Sequence, residues 1–364
     1  MSSAMPLGRP RRQSSGGTGT MRLALLGTGT VGSAFVARHQ SLRARRVALP
    51  ELAWLANSRA ARSCGNAPAD VLAQINAAAQ GEPGGLQPWA ETEGLRAGDV
   101  LVDATASDAV ANWHAEWLAR GVHVVTANKL GRGAQLARAQ AIDDARHAGN
   151  AVYGDSATVG AGLPLLSSLR ALVAGGDHVH AVEGVLSGSM AWLFHHYDGT
   201  RPFSDWVRQA RAAGYTEPDP RIDLSGEDVR RKLLILARSA GFALCSERVA
   251  LAPLLPASLA AASADTLDEG LSQLDAPVRE RFEQARAAGE RLCFVGRFDA
   301  DGASVGLRSL PAGHPLLGGC GTDNRVAIRS DRYRDQPLLI QGPGAGAEVT
   351  AAALLDDVLR IVAG

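Results

Sequence analysis

The stretch Gly214-Tyr-Thr-Glu217-Pro-Asp219-Pro-Arg-Ile-Asp223-Leu-Ser-Gly-Glu-Asp228-Val-Arg-Arg-Lys232 gathers charges that suit carbonyl chemistry. Asp228 and Lys232 are four apart, which stacks them on one face of a helix. Taken alone, such a pair is an ordinary ion pair worth under about half a kcal/mol. Its setting says more. Reducing an aldehyde delivers hydride to carbon and leaves an alkoxide that needs a proton from a positioned acid. An ammonium at Lys232 can stabilise that oxygen and supply the proton, with Asp228 orienting the amine. An amino-acid substrate also needs an anion for its α-ammonium group, and Glu217 is available. Pro218 and Pro220 predict a stiff, extended segment carrying Glu217 and Asp219. Ser225 is the predicted cap of the helix that follows.

A hydride source is implied by Gly27-Thr28-Gly29-Thr30-Val31-Gly32, a full GxGxxG after a strand and opening a helix. Gly27 permits the tight turn, Gly29 lets a pyrophosphate approach the backbone, and Gly32 lets helix and strand pack closely. The N–H groups at the helix start, around Thr30 and Val31, then face the phosphates. NAD-specific sites place an acid at the end of the second strand. Here that strand runs through Ala56 into Asn57-Ser58-Arg59 with no acid, and Arg59 is a candidate for a 2′-phosphate, with a solvated surface arginine as the alternative. NADP(H) is favoured, with NAD(H) as the alternative. Thr126-Ala-Asn-Lys129 ends a later strand, where ligands lie in open α/β sheets, and Lys129 is a candidate for substrate oxygen. An exposed lysine at a helix entry is the equal alternative from that segment alone. Thr105, just after the preceding strand, is a candidate for lining the dinucleotide pocket.

The elements that must hold these residues follow from the pattern of apolar runs. Strands over 21–26, 51–56, 99–104 and 122–126 alternate with helices over 31–39, 70–79, 110–120 and 134–148. That alternation predicts a parallel, doubly wound Rossmann-type sheet covered on both faces. After Tyr153 the style changes. Helices at 165–173, 190–197, 203–213 and 227–240 mix with strands at 179–186, 292–298, 304–310 and 325–329, an α+β arrangement. The chain closes with a strand at 338–341, a glycine turn and a helix. The predicted division is a disordered Ser/Gly/Pro tail (1–20), a dinucleotide-binding domain (21–152) and a substrate-binding and dimerisation domain (153–335). A terminal segment (336–364) returns to the dinucleotide-binding domain.

Bulk properties narrow the classes. Lys+Arg and Asp+Glu both total 37, so no basic excess exists to hold a nucleic-acid backbone. No stretch approaches the roughly 20 apolar residues of a membrane span, and the tail lacks the apolar core of a signal peptide. A cytoplasmic protein is expected. Cys64, Cys245, Cys293 and Cys320 form no CxxC pair, which argues against a disulfide framework or a zinc site. His178 with His180, and His195 with His196, lack a third ligand nearby and are expected to pack rather than bind metal, as are Trp192 and Phe194.

Together, GTGTVG, TANK, ATVGAGLP, GVLSGSMAWLF, GYTEPDPRIDLSGEDVRRKLLILAR and GPGAGAEVTAAALLDDVLR resemble homoserine dehydrogenase, above all the dehydrogenase half of fused aspartokinase–homoserine dehydrogenases. The resemblance covers residues 21–364, with the motifs in family order. It implies reversible reduction of L-aspartate 4-semialdehyde to L-homoserine, on the route to threonine and methionine. It also implies roles. Lys232 would be the proton donor with Asp228 beside it. Gly214, Glu217 and Asp223 would grip the amino-acid end, Lys129 would lie near nicotinamide and substrate, and Gly344 would help close the cofactor site. A homodimer through the second domain is implied as well.

Two departures matter. Some family members hold a sodium or potassium ion on main-chain oxygens, here Val159, Ala161 and Leu163, with a glutamate just before. Ser156 stands in that glutamate's place, which argues against the ion. The chain also carries no kinase half and no added regulatory domain, so threonine feedback is not expected. One rival reading, a semialdehyde dehydrogenase working through a thioester, needs a nucleophilic cysteine near the nicotinamide, and no cysteine ends a first-domain strand. The other, a non-catalytic NADP(H) sensor, does not require the charged pocket that this chain retains.

Overall fold

Two six-stranded sheets organise the described residues of the computed structural model, which are 20–78, 94–263, 266–319 and 321–364. The predicted tail, apart from Thr20, and Cys320 lie outside them.

The first sheet has the order β3-β2-β1-β4-β5-β6. Its strands are β1 (Arg22–Leu26), β2 (Glu51–Ala56), β3 (Ala61–Ser63), β4 (Val100–Asp103), β5 (His123–Thr126) and β6 (Tyr153–Gly154). All neighbours run parallel except β2 and β3, a short antiparallel edge pair not foreseen from the sequence. Burial on both faces explains the continuous apolar runs of β1 and β4. Helices α1 (Thr30–Ala44) and α2 (Pro68–Ala77) cover one face, with Phe35, Val36 and Ile75 in its core. Helices α3 (Asp108–Ala119) and α4 (Leu136–Ala148) cover the other through Val110, Trp117, Leu118 and Ile142.

The second sheet runs β12-β11-β7-β9-β10-β8. These strands are β7 (Val179–Val185), β8 (Val249–Leu251), β9 (Glu290–Asp299), β10 (Ala303–Pro311), β11 (Asp323–Ser330) and β12 (Leu338–Pro343). Pairing is antiparallel apart from β8 with β10. Its core joins the sheet to α5 (Leu165–Ala174), α6 (Gly188–His196), α7 (Phe203–Ala212), α8 (Glu227–Ser239) and α9 (Asp275–Ala287). Helix α9 fills a stretch in which no element was expected, although Val278, Phe282 and Ala285 keep helical spacing.

The C-terminal segment divides between the two sheets. Strand β12 pairs with β11 in the second sheet, whereas helix α10 (Ala347–Ala363) lies against α1 and sends Leu354, Leu355 and Val358 into the first core. No described helix is long and apolar enough to cross a membrane.

Candidate active site

The strand order of the first sheet reverses between β1 and β4, and the glycine turn sits at that crevice. Gly27 has φ of +95°, and a Cβ there would meet the Ala104 carbonyl oxygen at 2.8 Å. A Cβ on Gly32 would lie 1.9 Å from the Gly27 carbonyl oxygen, so only glycine lets α1 leave the strand so closely. Gly29, by contrast, has nothing within 4 Å of an added Cβ. The first turn of α1, with Thr30 and Val31, has no side-chain cap and no acidic residue. Open space before Gly29 and unclaimed N–H groups fit a dinucleotide pyrophosphate.

Asn57, at the end of β2, donates to Thr28 Oγ1 at 3.2 Å and accepts from the main chain of Arg59 and Ala60. Exposed Arg59 is thereby held at a turn tied to the glycine loop. Thr105 takes its place from the Asp103 carboxylate, which accepts its N–H at 2.8 Å. Gly344 packs on buried Asn324, whose Oδ1 would lie 2.0 Å from a Cβ there, in the loop leading to α10.

Lys232 is 8% exposed on α8, among buried Val229, Leu233 and Leu236. A buried ammonium is costly unless partnered. It has two partners, the Leu186 carbonyl at 2.7 Å, just past β7, and Asp228 Oδ2 at 2.8 Å. An ammonium has three donors, so one remains unclaimed among the described residues. Asp228 Oδ1 lies 3.4 Å from Lys129 Nζ, which arrives from the end of β5 in the first sheet. Burial pushes the Asp228 carboxyl up, but Lys232 and Lys129 together hold it far below the usual carboxylate range. Three charges from two sheets thus meet at one point.

Asp223 is the second anchor. It accepts from Ser189 Oγ at 2.6 Å and from the Glu217 N–H at 2.9 Å. Burial raises its pKa, those two hydrogen bonds oppose the rise, and the nearby Asp228 charge adds to it. Ser189 Oγ is also 2.8 Å from Ser187 Oγ, and the Ser187 side chain caps α6. The Glu217 side chain is exposed, so it is the backbone of this residue, not its carboxylate, that joins the cluster. Gly214 takes φ of +73° in the turn after α7, and Tyr215 beside it packs on Trp192.

Two local expectations need correcting. The segment through Pro220 is not extended, because Pro220 has φ −65° and ψ −12° and starts a helical turn, Arg221–Leu224. A proline ring suits that first position, since its missing N–H is not needed there. Asp219 then chelates the Arg221 guanidinium, at 2.7 Å for the closest pair. Nor is Ser225 the N-cap of α8, which is Gly226 at φ +73° with no side-chain cap; the Ser225 hydroxyl instead accepts the Glu227 N–H at 3.2 Å.

The sequence reading missed Leu186, Ser187 and Ser189, although Ser-x-Ser directly after a strand was a visible signal. It also missed a sealed relay beneath the β4 and β5 ends. There His114 links Asp103 Oδ2 at 2.9 Å to the Tyr153 hydroxyl at 3.0 Å.

At the ATVGAGLP turn, Gly160 and Ala161 both have positive φ, and the Leu163 carbonyl accepts the Leu165 N–H. Ser156 Oγ donates to Asp357 at 2.8 Å and accepts from Arg360 at 3.2 Å. At the glutamate's place there is thus a hydroxyl, already engaged by Asp357 and Arg360. Burial pushes the Cys64 and Cys293 thiols up to about 11; Cys64 sits in a hydrophobic cluster and Cys293 packs against another. Neither is poised as a thiolate nucleophile.

Residues 27–154 match the family model described as homoserine dehydrogenase, NAD binding domain, and residues 164–359 match that described as homoserine dehydrogenase. Homoserine dehydrogenase of Saccharomyces cerevisiae is 34% identical over 357 residues, 94% of this chain and 98% of the yeast protein. Bifunctional aspartokinase/homoserine dehydrogenase 2 of Zea mays is 44% identical over 265 residues, 72% of this chain and 29% of the maize protein. The chain thus spans under a third of the length of such bifunctional relatives. A Candida auris protein described as of unknown function superposes with a TM-score of 0.82 at 33% identity, covering 94% of this chain and 98% of that one. Homoserine dehydrogenase from Thiobacillus denitrificans gives 0.70 at 25% identity, covering 94% and 73%. A hyperthermophilic archaeal homoserine dehydrogenase, solved in complex with NADPH, shares the fold with a TM-score of 0.72 at 20% identity, covering 94% and 98%. With both halves of the chain matched, in the order that brings Lys129 to Asp228, this protein belongs to the homoserine dehydrogenase family of NAD(P)-dependent oxidoreductases.

Proposed function

We propose that this chain catalyses the reversible reduction of L-aspartate 4-semialdehyde to L-homoserine, on the route to threonine and methionine, with Lys232 as proton donor. The observation that carries the reading is the Lys232 ammonium, fixed by Asp228 and the Leu186 carbonyl with one N–H left over. A bound nicotinamide dinucleotide supplies the hydride. Lys232 gives its remaining proton to the carbonyl oxygen as hydride reaches the carbon, and regains one from water. Asp228 keeps the amine aimed and offsets its charge. Asp223 and the Gly214 and Glu217 backbone grip the amino-acid end, and Lys129 neutralises oxygen on the substrate or lies along the nicotinamide. Gly27, Gly29, Thr30, Val31, Gly32, Thr105 and Gly344 line the cofactor crevice.

NADP(H) is the favoured cofactor, because β2 ends without an acid and presents Arg59 for a 2′-phosphate. A homodimer follows from the family resemblance. The test is NADPH consumption with aspartate semialdehyde, and NADP reduction with homoserine in reverse. Turnover in both directions is expected; a folded, NADPH-binding protein inert to both substrates would end this reading.

A further inference from the structure

The segment from Lys129 to Gln135, between β5 and α4, is gripped on two sides. Toward the first sheet, Gly131 lies on the His114–Tyr153 hydrogen bond, and a Cβ there would sit 2.3 Å from the Tyr153 hydroxyl and 3.1 Å from His114 Nδ1. Toward α8, a Cβ on Gly133 would meet the Lys129 carbonyl oxygen at 2.6 Å and the Arg231 carbonyl oxygen at 2.9 Å. Both are main-chain atoms that cannot swing aside. Arg238, further along the same helix, reaches back across this contact. It donates to the carbonyls of Arg132 and Ala134, the latter at 2.9 Å, and to Leu244 at 3.2 and 2.9 Å.

Arg238 is 8% exposed and ion-paired to no carboxylate among the described residues. A buried guanidinium is permanently charged, and here its donors go to main-chain oxygens, two of them in the Lys129 segment. Because Lys232 and Arg238 share one helix, whatever seats that segment on α8 also sets where the Lys129 ammonium stands relative to Asp228.

We infer that Arg238 is a positioning residue, which clamps the Lys129 segment to α8 and acts on the reaction only through Lys129. The inference rests on the proposed roles of Lys129, Asp228 and Lys232. The test is a double-mutant cycle in the full-length chain, with steady-state kinetics and NADPH binding followed by nicotinamide fluorescence. Displacing a reacting-site group by an ångström costs on the order of a hundredfold, so Arg238→Ala should lower kcat/KM by about that factor with NADPH affinity unchanged. Adding it to Lys129→Met should cost less than about twofold more than Lys129→Met alone. Guanidinium ion should restore activity to Arg238→Ala and not to Lys129→Met.

Losses that multiply in the double variant, or wild-type kinetics in Arg238→Ala, overturn the inference. Should Arg238→Ala fail to fold, Gly133→Ala and Arg238→Lys go through the same cycle, since they disturb the clamp and leave the guanidinium or a cation in place; multiplying losses there overturn it equally. Failure of the functional reading looks different. Lys232→Met turning over at the wild-type rate would remove that reading, whereas an essential Lys232 with multiplying Arg238 and Lys129 losses would remove this inference alone.

Discussion

Replacing Lys232 with methionine separates chemistry from folding. The substitution keeps the unbranched stem that packs among Val229, Leu233 and Leu236 and removes the charge and its donors. The Leu186 carbonyl, in a fully buried residue, then loses its donor, which costs about 1–3 kcal/mol. Asp228 does not become an orphaned buried carboxylate. Its side chain is 40% exposed and Lys129 stays 3.4 Å away, so loss of the ion pair adds at most about 1 kcal/mol. The fold should survive with a melting temperature lower by several degrees. Catalysis should not. A positioned general acid contributes about 10²–10⁴-fold, equivalent to about 2.7–5.4 kcal/mol of barrier at about 1.36 kcal/mol per tenfold. The expected result is kcat down by two to four orders of magnitude, with NADPH affinity by fluorescence close to wild type. Lys232→Arg adds a control: it keeps the positive charge but cannot release a proton at neutral pH, so it should stay impaired. A folded Lys232→Met protein with kcat within about threefold of wild type would refute the assignment.

Other consequences are as direct. Gly32→Ala places a Cβ 1.9 Å from a main-chain oxygen, an overpacking expected to cost about 1–3 kcal/mol or more and to abolish NADPH binding; denaturation midpoints and fluorescence titration check both. Arg59→Ala should weaken NADPH binding about tenfold, equivalent to about 1.4 kcal/mol, and leave NADH unaffected; equal losses for both cofactors would remove the 2′-phosphate assignment. Burial holds His39 below its usual pKa against the pull of the Pro50 carbonyl, and burial does the same to His123 against Asp99. A histidine lowered in the fold contributes stability that is complete above its unfolded value, 6.5, and is lost as the pH falls through it. Urea midpoints should therefore fall on acidification, by up to about 1.4 kcal/mol per pH unit for each histidine. The fall should shrink in a His39→Gln, His123→Gln variant, and an unchanged profile would contradict the burial argument.

What was legible in the sequence was local. The glycine fingerprint announced the turn at Gly27 and the close approach at Gly32, because strand, turn and helix are contiguous and few residue types fit there. The four-residue spacing put Asp228 under Lys232, because a helix turn fixes that neighbour whatever surrounds it. Even locally the reading slipped where two signals competed. At Pro220 and Gly226, proline and left-handed glycine made a helical turn and a cap where extended chain and a serine cap were expected.

Tertiary structure decided the rest. Lys129 reads equally as a surface lysine or a site lysine in the sequence, whereas the fold sets it 3.4 Å from Asp228, with Gly133 of the same segment close against α8. Leu186 holds Lys232 through a main-chain oxygen, which no side-chain pattern reveals, and Ser189 meets Asp223 across the gap between two helical elements. The C-terminal strand joined the second sheet while its helix crossed to the first, a partition that hydrophobic periodicity does not encode. Periodicity records which face of an element is apolar. The partner that covers that face is set by how the whole chain covers its two sheets, and Lys129 reaches Asp228 and Lys232 from the first sheet to the helix beside the second.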